Sequence, residues 1–197
     1  MKYEHCNIVS SILFMEIKNI AIFCGSKTGN NPLFSQHSKR VGEWMAENNL
    51  GIIYGGGKVG LMGIVADASL AKGGNVIGVI PEVLLAWEQQ HYGISDLRVV
   101  TDMHVRKKMM YELCDAAIVL PGGYGTLDEL FEIVTWNNLK IHEKKIILLN
   151  SAGFYNHLIA HIDMMQEEGY LYDDWRNRII VCDEPEAIFS YLFQNRS

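Results

Sequence analysis

Two charged residues stand out by where they fall. Residues 121–129 read Pro121-Gly122-Gly123-Tyr124-Gly125-Thr126-Leu127-Asp128-Glu129. Glycines let the main chain approach a ligand closely, and a helix that follows them offers unpaired N–H groups with partial positive charge. That is a receptor for a phosphate, and Glu129 lies just beyond it. Thr126 and Glu129 also have the spacing of a capping box, in which Thr126 caps the helix and Glu129 reaches back to the Thr126 N–H. Spacing alone therefore leaves Glu129 open between a structural and a catalytic role. The second residue is Arg106. The segment Asp102–Leu113 carries Met103, Met110 and Leu113 on one apolar stripe, and Arg106 falls on that stripe. A guanidinium on an apolar face must find anions, because burying it unpaired is prohibitive. A structural ion pair is one outcome; a crevice shared with Glu129 is the other. Lys107 points elsewhere on the helix, and it or Lys108 reads as a solvated surface charge.

Other motifs carry less. Gly55, Gly57 and Gly60 match G-x-G-x-x-G, but Glu82 follows Pro81 instead of closing a strand, so the ribose-binding acid of a dinucleotide site is poorly placed. A Walker A loop fails because Val59 follows Lys58. A tight strand-to-helix turn and a nucleotide contact remain equal readings for these glycines. His157 and His161 stand at i and i+4 without the glutamate or third ligand that a metal site needs, so no metal is expected. Trp44, Trp87, Trp136 and Trp175 form no repeat, and packing is their default role.

These residues need elements to hold them. Short apolar runs alternate with helical patterns along the chain. Strands are expected at Asn19–Cys24, Leu50–Tyr54, Asn75–Ile80, Leu97–Thr101, Ala116–Leu120, Lys145–Leu149 and Arg178–Cys182. Helical periodicity covers Pro32–Asn48, Leu61–Lys72, Asp102–Leu113, Thr126–Leu139, Phe154–Glu168 and Pro185–Phe193. Unbroken apolar strands are buried on both faces. The expected fold is α/β, a Rossmann-like doubly wound parallel sheet with helices on both faces, in a single domain. Its ligand belongs beyond the carboxyl ends of the strands. The glycine clusters after the first, second and fifth strands lie there.

Composition bounds the rest. A chain of 197 residues suits one domain, with residues 1–14 as an N-terminal extension and 15–197 as the folded unit. The formal net charge of −6 provides no global field for polynucleotide or an anionic membrane, so neither partner is expected. An anionic ligand must be held locally. The four cysteines, Cys6, Cys24, Cys114 and Cys182, form no C-x-x-C pair and suit a reducing, cytoplasmic setting. No apolar run approaches the roughly 18 residues of a membrane span.

The segments Met103-His104-Val105-Arg106-Lys107 and Leu120-Pro121-Gly122-Gly123-Tyr124-Gly125-Thr126-Leu127-Asp128-Glu129 together resemble the paired signatures of the Lonely Guy (LOG) family, often mislabelled as lysine decarboxylases. Phe23-Cys24-Gly25-Ser26, Tyr54-Gly55-Gly56-Gly57, Gly60-Leu61-Met62-Gly63, Val76-Ile77-Gly78-Val79-Ile80-Pro81 and Thr135-Trp136 support the likeness, which runs from about Ile17 to Phe193. The resemblance implies a Rossmann-like homodimer with its site near the subunit interface. It implies hydrolysis of a purine nucleoside 5'-monophosphate to free base and ribose 5-phosphate, with no cofactor. By motif position, Arg106 and Glu129 correspond to the catalytic pair, and Gly122, Gly123, Gly125 and Thr126 to the phosphate loop. Glu88, Lys107, Ser26, Gly56 and Asp128 fall at substrate-binding positions. Lys27, Asp128 and the segment Ala86–His91 depart from the usual pattern where substrate is read, so adenine and prenylated adenine nucleotides stay equal candidates. A non-catalytic nucleotide sensor is the alternative, and it has no reason to combine Arg106 with Glu129. A decarboxylase would need a lysine in a cofactor pocket, and no such constellation is visible.

Overall fold

The structure is a computed structural model that describes residues 17–85 and 90–193. All seven expected strands form: β1 (Asn19–Phe23), β2 (Gly51–Tyr54), β3 (Val76–Pro81), β4 (Asp96–Val100), β5 (Ala116–Val119), β6 (Lys145–Leu149) and β7 (Ile179–Cys182). They pair in parallel throughout, in the order β4-β3-β2-β1-β5-β6-β7. The apolar runs explain why. Ile20, Ile52, Ile118 and Ile147 fill one face of the sheet, Ala21, Ile53, Ala117 and Ile146 the other, and all are fully buried.

Among the described residues six α-helices cover those faces: α1 (Pro32–Glu47), α2 (Gly60–Ala71), α3 (Met103–Leu113), α4 (Tyr124–Asn138), α5 (Asn156–Glu167) and α6 (Pro185–Phe193). Val41 and Met45 of α1, Leu61 and Val65 of α2, and Ile188 and Leu192 of α6 pack on one side. Met110 and Tyr111 of α3, Leu130 and Ile133 of α4, and Ile162 of α5 pack on the other. The sheet is therefore wound on both faces. The chain steps outward from β1 to β4, then returns through α3 to place β5 beside β1. This reversal opens a crevice at the carboxyl ends of β1 and β5, where a ligand binds in such sheets.

Two helix starts differ by two residues from the sequence reading, and those of α2 and α3 by one. α4 begins at Tyr124 instead of Thr126, because Gly123 adopts the extended cap conformation. α5 begins at Asn156 instead of Phe154, because a 3-10 turn at Ser151–Gly153 intervenes with Ala152 at φ 52°. The N-terminal extension, Cys6, Trp87 and Glu88 lie outside the described residues. No helix among the described residues is long and apolar enough to cross a membrane.

Candidate active site

The loops after β1 and β5 are in direct contact at the crevice. The Gly25 N–H donates to the Pro121 carbonyl at 3.0 Å, and a Cβ on Gly25 would stand 3.3 Å from Gly122 Cα. A Cβ on Gly122 would fall 2.1 Å from Thr126 Oγ1 and 2.9 Å from the Gly25 nitrogen. Glycine is thus required at position 122 for the loops to meet, and a side chain at position 25 would fit only tightly. A cleft of about 260 Å³ lies against them, lined by Ser26, Lys27, Phe34, Gly122, Gly123 and Phe154 among others.

The helix ends at this edge differ in what occupies their amides. Asn31 caps α1 by accepting from the Leu33 N–H at 3.0 Å. Asp102 caps α3, accepting from His104 and Val105 at 2.8 and 2.9 Å. The first amides of α2, on Leu61 and Met62, donate to the Gly25 carbonyl. α4 is preceded by Gly123 at the cap position, with no side-chain cap. A Cβ at Gly123 or Gly125 would meet nothing within 4 Å, so this end is open to a ligand. Uncapped N–H groups at an open helix start favour an anion. The Thr126–Glu129 capping box does not form as expected: Thr126 is already inside the first turn and is 3% exposed.

Behind this cradle, α3 and α4 bring their charged residues together. Arg106 is 5% exposed. Its Nε donates to the Val79 carbonyl at 3.1 Å and its Nη2 to the Gly55 carbonyl at 3.3 Å, so the ends of β3 and β2 hold the guanidinium. Gly55 makes that possible, since a Cβ there would lie 2.1 Å from Nη2. Close approach to Arg106 thus accounts for the first glycine of the G-x-G-x-x-G stretch. Gly60, the last glycine of that stretch, sits at φ 66° against the main chain of Ser26, and Gly56 at φ 80° against Ile80. Packing explains Gly55 and Gly60.

Glu129 is 8% exposed on α4. Of the two lysines on α3, Lys108 is the solvated one and Lys107 is buried. The Lys107 ammonium bonds Asp128 Oδ2 at 3.0 Å and Glu132 Oε2 at 2.8 Å. Burial alone would lower its pKa, but the bonds to Glu132 and Asp128 outweigh burial and hold it above the ordinary value. Tyr111, one turn on from Lys107, donates to Glu132 Oε2 at 2.9 Å and lies 3.4 Å from the Glu129 carbonyl. Its phenol is pushed far up by burial and then by Glu132. The sequence reading missed Tyr111 and Glu132. Their signal was the i, i+4 pairing of Lys107 with Tyr111 on one helix and of Asp128 with Glu132 on the other.

Comparison with known proteins identifies the family. A protein-family model described as "Possible lysine decarboxylase" matches residues 62–192, more than half of the chain. A cytokinin riboside 5'-monophosphate phosphoribohydrolase of Rhodococcoides fascians is 44% identical over 176 residues, 89% of each chain. The enzyme of that description named LOG1 from Arabidopsis thaliana is 42% identical over 177 residues, 90% of this chain and 83% of its own. The chain belongs to the LOG family. LOG relatives carry the names of hydrolases, and this chain is one of that enzyme class. The LOG fold extends further: a molybdenum cofactor binding protein of Rippkaea orientalis superposes with a TM-score of 0.70 at 19% identity, covering 93% of this chain and 99% of its own.

Two other constellations fall away. His37 Nδ1 lies 2.8 Å from Ser151 Oγ, and His37 Nε2 lies 3.2 Å from Glu184 Oε2, a serine–histidine–carboxylate order. Ser151 has no exposed surface, so it cannot reach a substrate; the trio ties α1 to the turns after β6 and β7. His157 and His161 are both exposed, and the described residues hold no group of three or more side chains suited to a metal ion.

Proposed function

We propose that this LOG protein hydrolyses the N-glycosidic bond of a purine nucleoside 5'-monophosphate, releasing free base and ribose 5-phosphate. The observation that carries the reading is the buried Glu129 carboxyl on the helix whose uncapped start offers an anion cradle. Glu129 stands about one helical turn, roughly 5.4 Å, beyond Gly125, a span that suits a ribose between its phosphate and its anomeric carbon. The phosphate rests on Gly122, Gly123, Gly125 and Thr126. Ser26, Gly56 and Glu88 complete the substrate-binding set, with Asp128 at its edge.

Breaking the bond builds positive charge on the sugar and negative charge on the departing base. The Glu129 carboxylate stabilises the first and orients the attacking water. Water adds its oxygen to C1', the C1'–N bond breaks with its electron pair going to the base, and the proton from water follows. Arg106, held by two main-chain carbonyls, supplies positive charge toward the phosphate or the leaving base. The names of the relatives support a cytokinin nucleotide as substrate, and adenine itself is the competing base. The protein acts as a homodimer, with the outer face of α3 and α4 as the interface. Exposed Val105, Tyr124 and Phe131 favour that face.

A decarboxylase reading, which the family description raises, does not fit the lysines. A Schiff-base lysine must be readily deprotonated. Lys107, the buried lysine among the described residues, is held as an ammonium by two carboxylates. Chromatography after incubation with AMP, GMP and an N6-prenylated AMP tests the proposal. Free adenine or prenylated adenine is expected. Tight binding of all three nucleotides without base release would instead mark a sensor.

A further inference from the structure

Lys107 corresponds to a substrate-contact position in the family resemblance, yet its ammonium faces another way. It lies between Asp128 and Glu132, the residues one before and three after Glu129, and its side chain is only 10% exposed. Glu132 stands three residues after Glu129 on α4, a spacing at which side chains are neighbours and like charges repel. The charged and titratable groups at this turn of α4 are Asp128 and Glu132 from α4 itself and Lys107 and Tyr111 from α3, with Arg106 preceding Lys107 in α3. Lys107 contacts the two that flank Glu129. Tyr111 reinforces the contact, its hydroxyl placed between Glu132 and the main chain of Glu129.

We propose that Lys107 is a positioning residue: by neutralising Asp128 and Glu132 it fixes α4 against α3 and keeps the Glu129 carboxyl ionised where the enzyme works. The inference rests on the reading of Glu129 as the acid beside the sugar. Lys107 stays charged across the working range, because its bonds to Glu132 and Asp128 outweigh the burial that would favour the neutral amine. It contributes a constant positive charge. Asp128 and Glu132 would otherwise push the Glu129 proton affinity up, as a second carboxylate does in a shared site.

The test is the pH profile of kcat/KM for Lys107→Met, Glu132→Gln and the double variant. Lys107→Met moves the acid limb up by about one pH unit or more, and lowers kcat more than it changes KM. Glu132→Gln keeps the Lys107–Asp128 contact, removes a like charge and moves the limb down. The double variant returns toward the wild-type limb although the contact between the helices is more broken than in either parent. Lys107→Arg keeps the wild-type limb. Carboxyl NMR titration of Glu129 in the same proteins reads the effect without turnover, and Glu132→Gln serves if Lys107→Met does not fold. A Glu129 titration unmoved in both single variants would overturn the inference, as would a rise in KM alone for Lys107→Met, the mark of a substrate contact. Failure of the wild type to release any base would instead overturn the role of Glu129.

Discussion

Arg106 and Glu129 reach their places for different physical reasons, and they were legible to different degrees. Arg106 was readable because a guanidinium on an apolar stripe cannot be left unpaired, and the stripe is visible in the spacing of Met103, Met110 and Leu113. Glu129 was ambiguous because Thr126 and Glu129 satisfy the pattern of a capping box. The fold starts α4 at Tyr124, with Gly123 as its cap, so Thr126 lies inside the first turn instead of capping it. Lys107 could not be placed from the sequence, since the two carboxylates that make its burial tolerable lie on another helix. A carboxylate that stabilises charge and orients water contributes about 100- to 10,000-fold to rate. Glu129→Gln is therefore expected to lower kcat by that range while nucleotide affinity, measured by calorimetry, stays near wild type. Unchanged turnover would remove Glu129 from the chemistry.

At the scale of elements, the site is an agreement between strand ends and helix starts. β3 and the residue after β2 hold the Arg106 guanidinium through main-chain carbonyls, and the loop after β1 gives its Gly25 carbonyl to the Leu61 and Met62 amides of α2. The sequence showed that glycines cluster at these ends without showing why. Gly55 is needed because the Arg106 Nη2 occupies the space of its missing Cβ, a contact between residues far apart in the chain. The added methyl of Gly55→Ala is expected to displace the guanidinium and to cost about 1–3 kcal/mol, as overpacking does. Thermal denaturation and steady-state kinetics check both effects. A stable variant with full activity would show that the β2 end does not hold Arg106 where the reaction needs it.

The molecule as a whole was the most legible level. Strands read as unbroken apolar runs because they are buried on both faces, and the parallel pairing of the seven strands follows from strand–helix alternation. What composition could not show is the outer surface of the fold. Val105 on α3 and Tyr124 and Phe131 on α4 are 40%, 94% and 38% exposed, although the chain has a net charge of −6 to keep it dispersed. Light scattering coupled to size exclusion is expected to give the mass of two chains, and Phe131→Glu to shift it toward one. A monomer at micromolar concentration would place the active site within a single chain.

The same net charge makes the most direct test possible, because an acidic protein holds a phosphate only through a built cradle. Two charge-assisted hydrogen bonds from the start of α4, at about 1.5–3 kcal/mol each, correspond to roughly 100-fold or more in kcat/KM. The measurement is base release from AMP and from adenosine, side by side on the wild-type protein. The nucleotide is predicted to be the better substrate by at least that factor. Equal rates for the two would contradict the phosphate cradle and, with it, the placement of the sugar against Glu129.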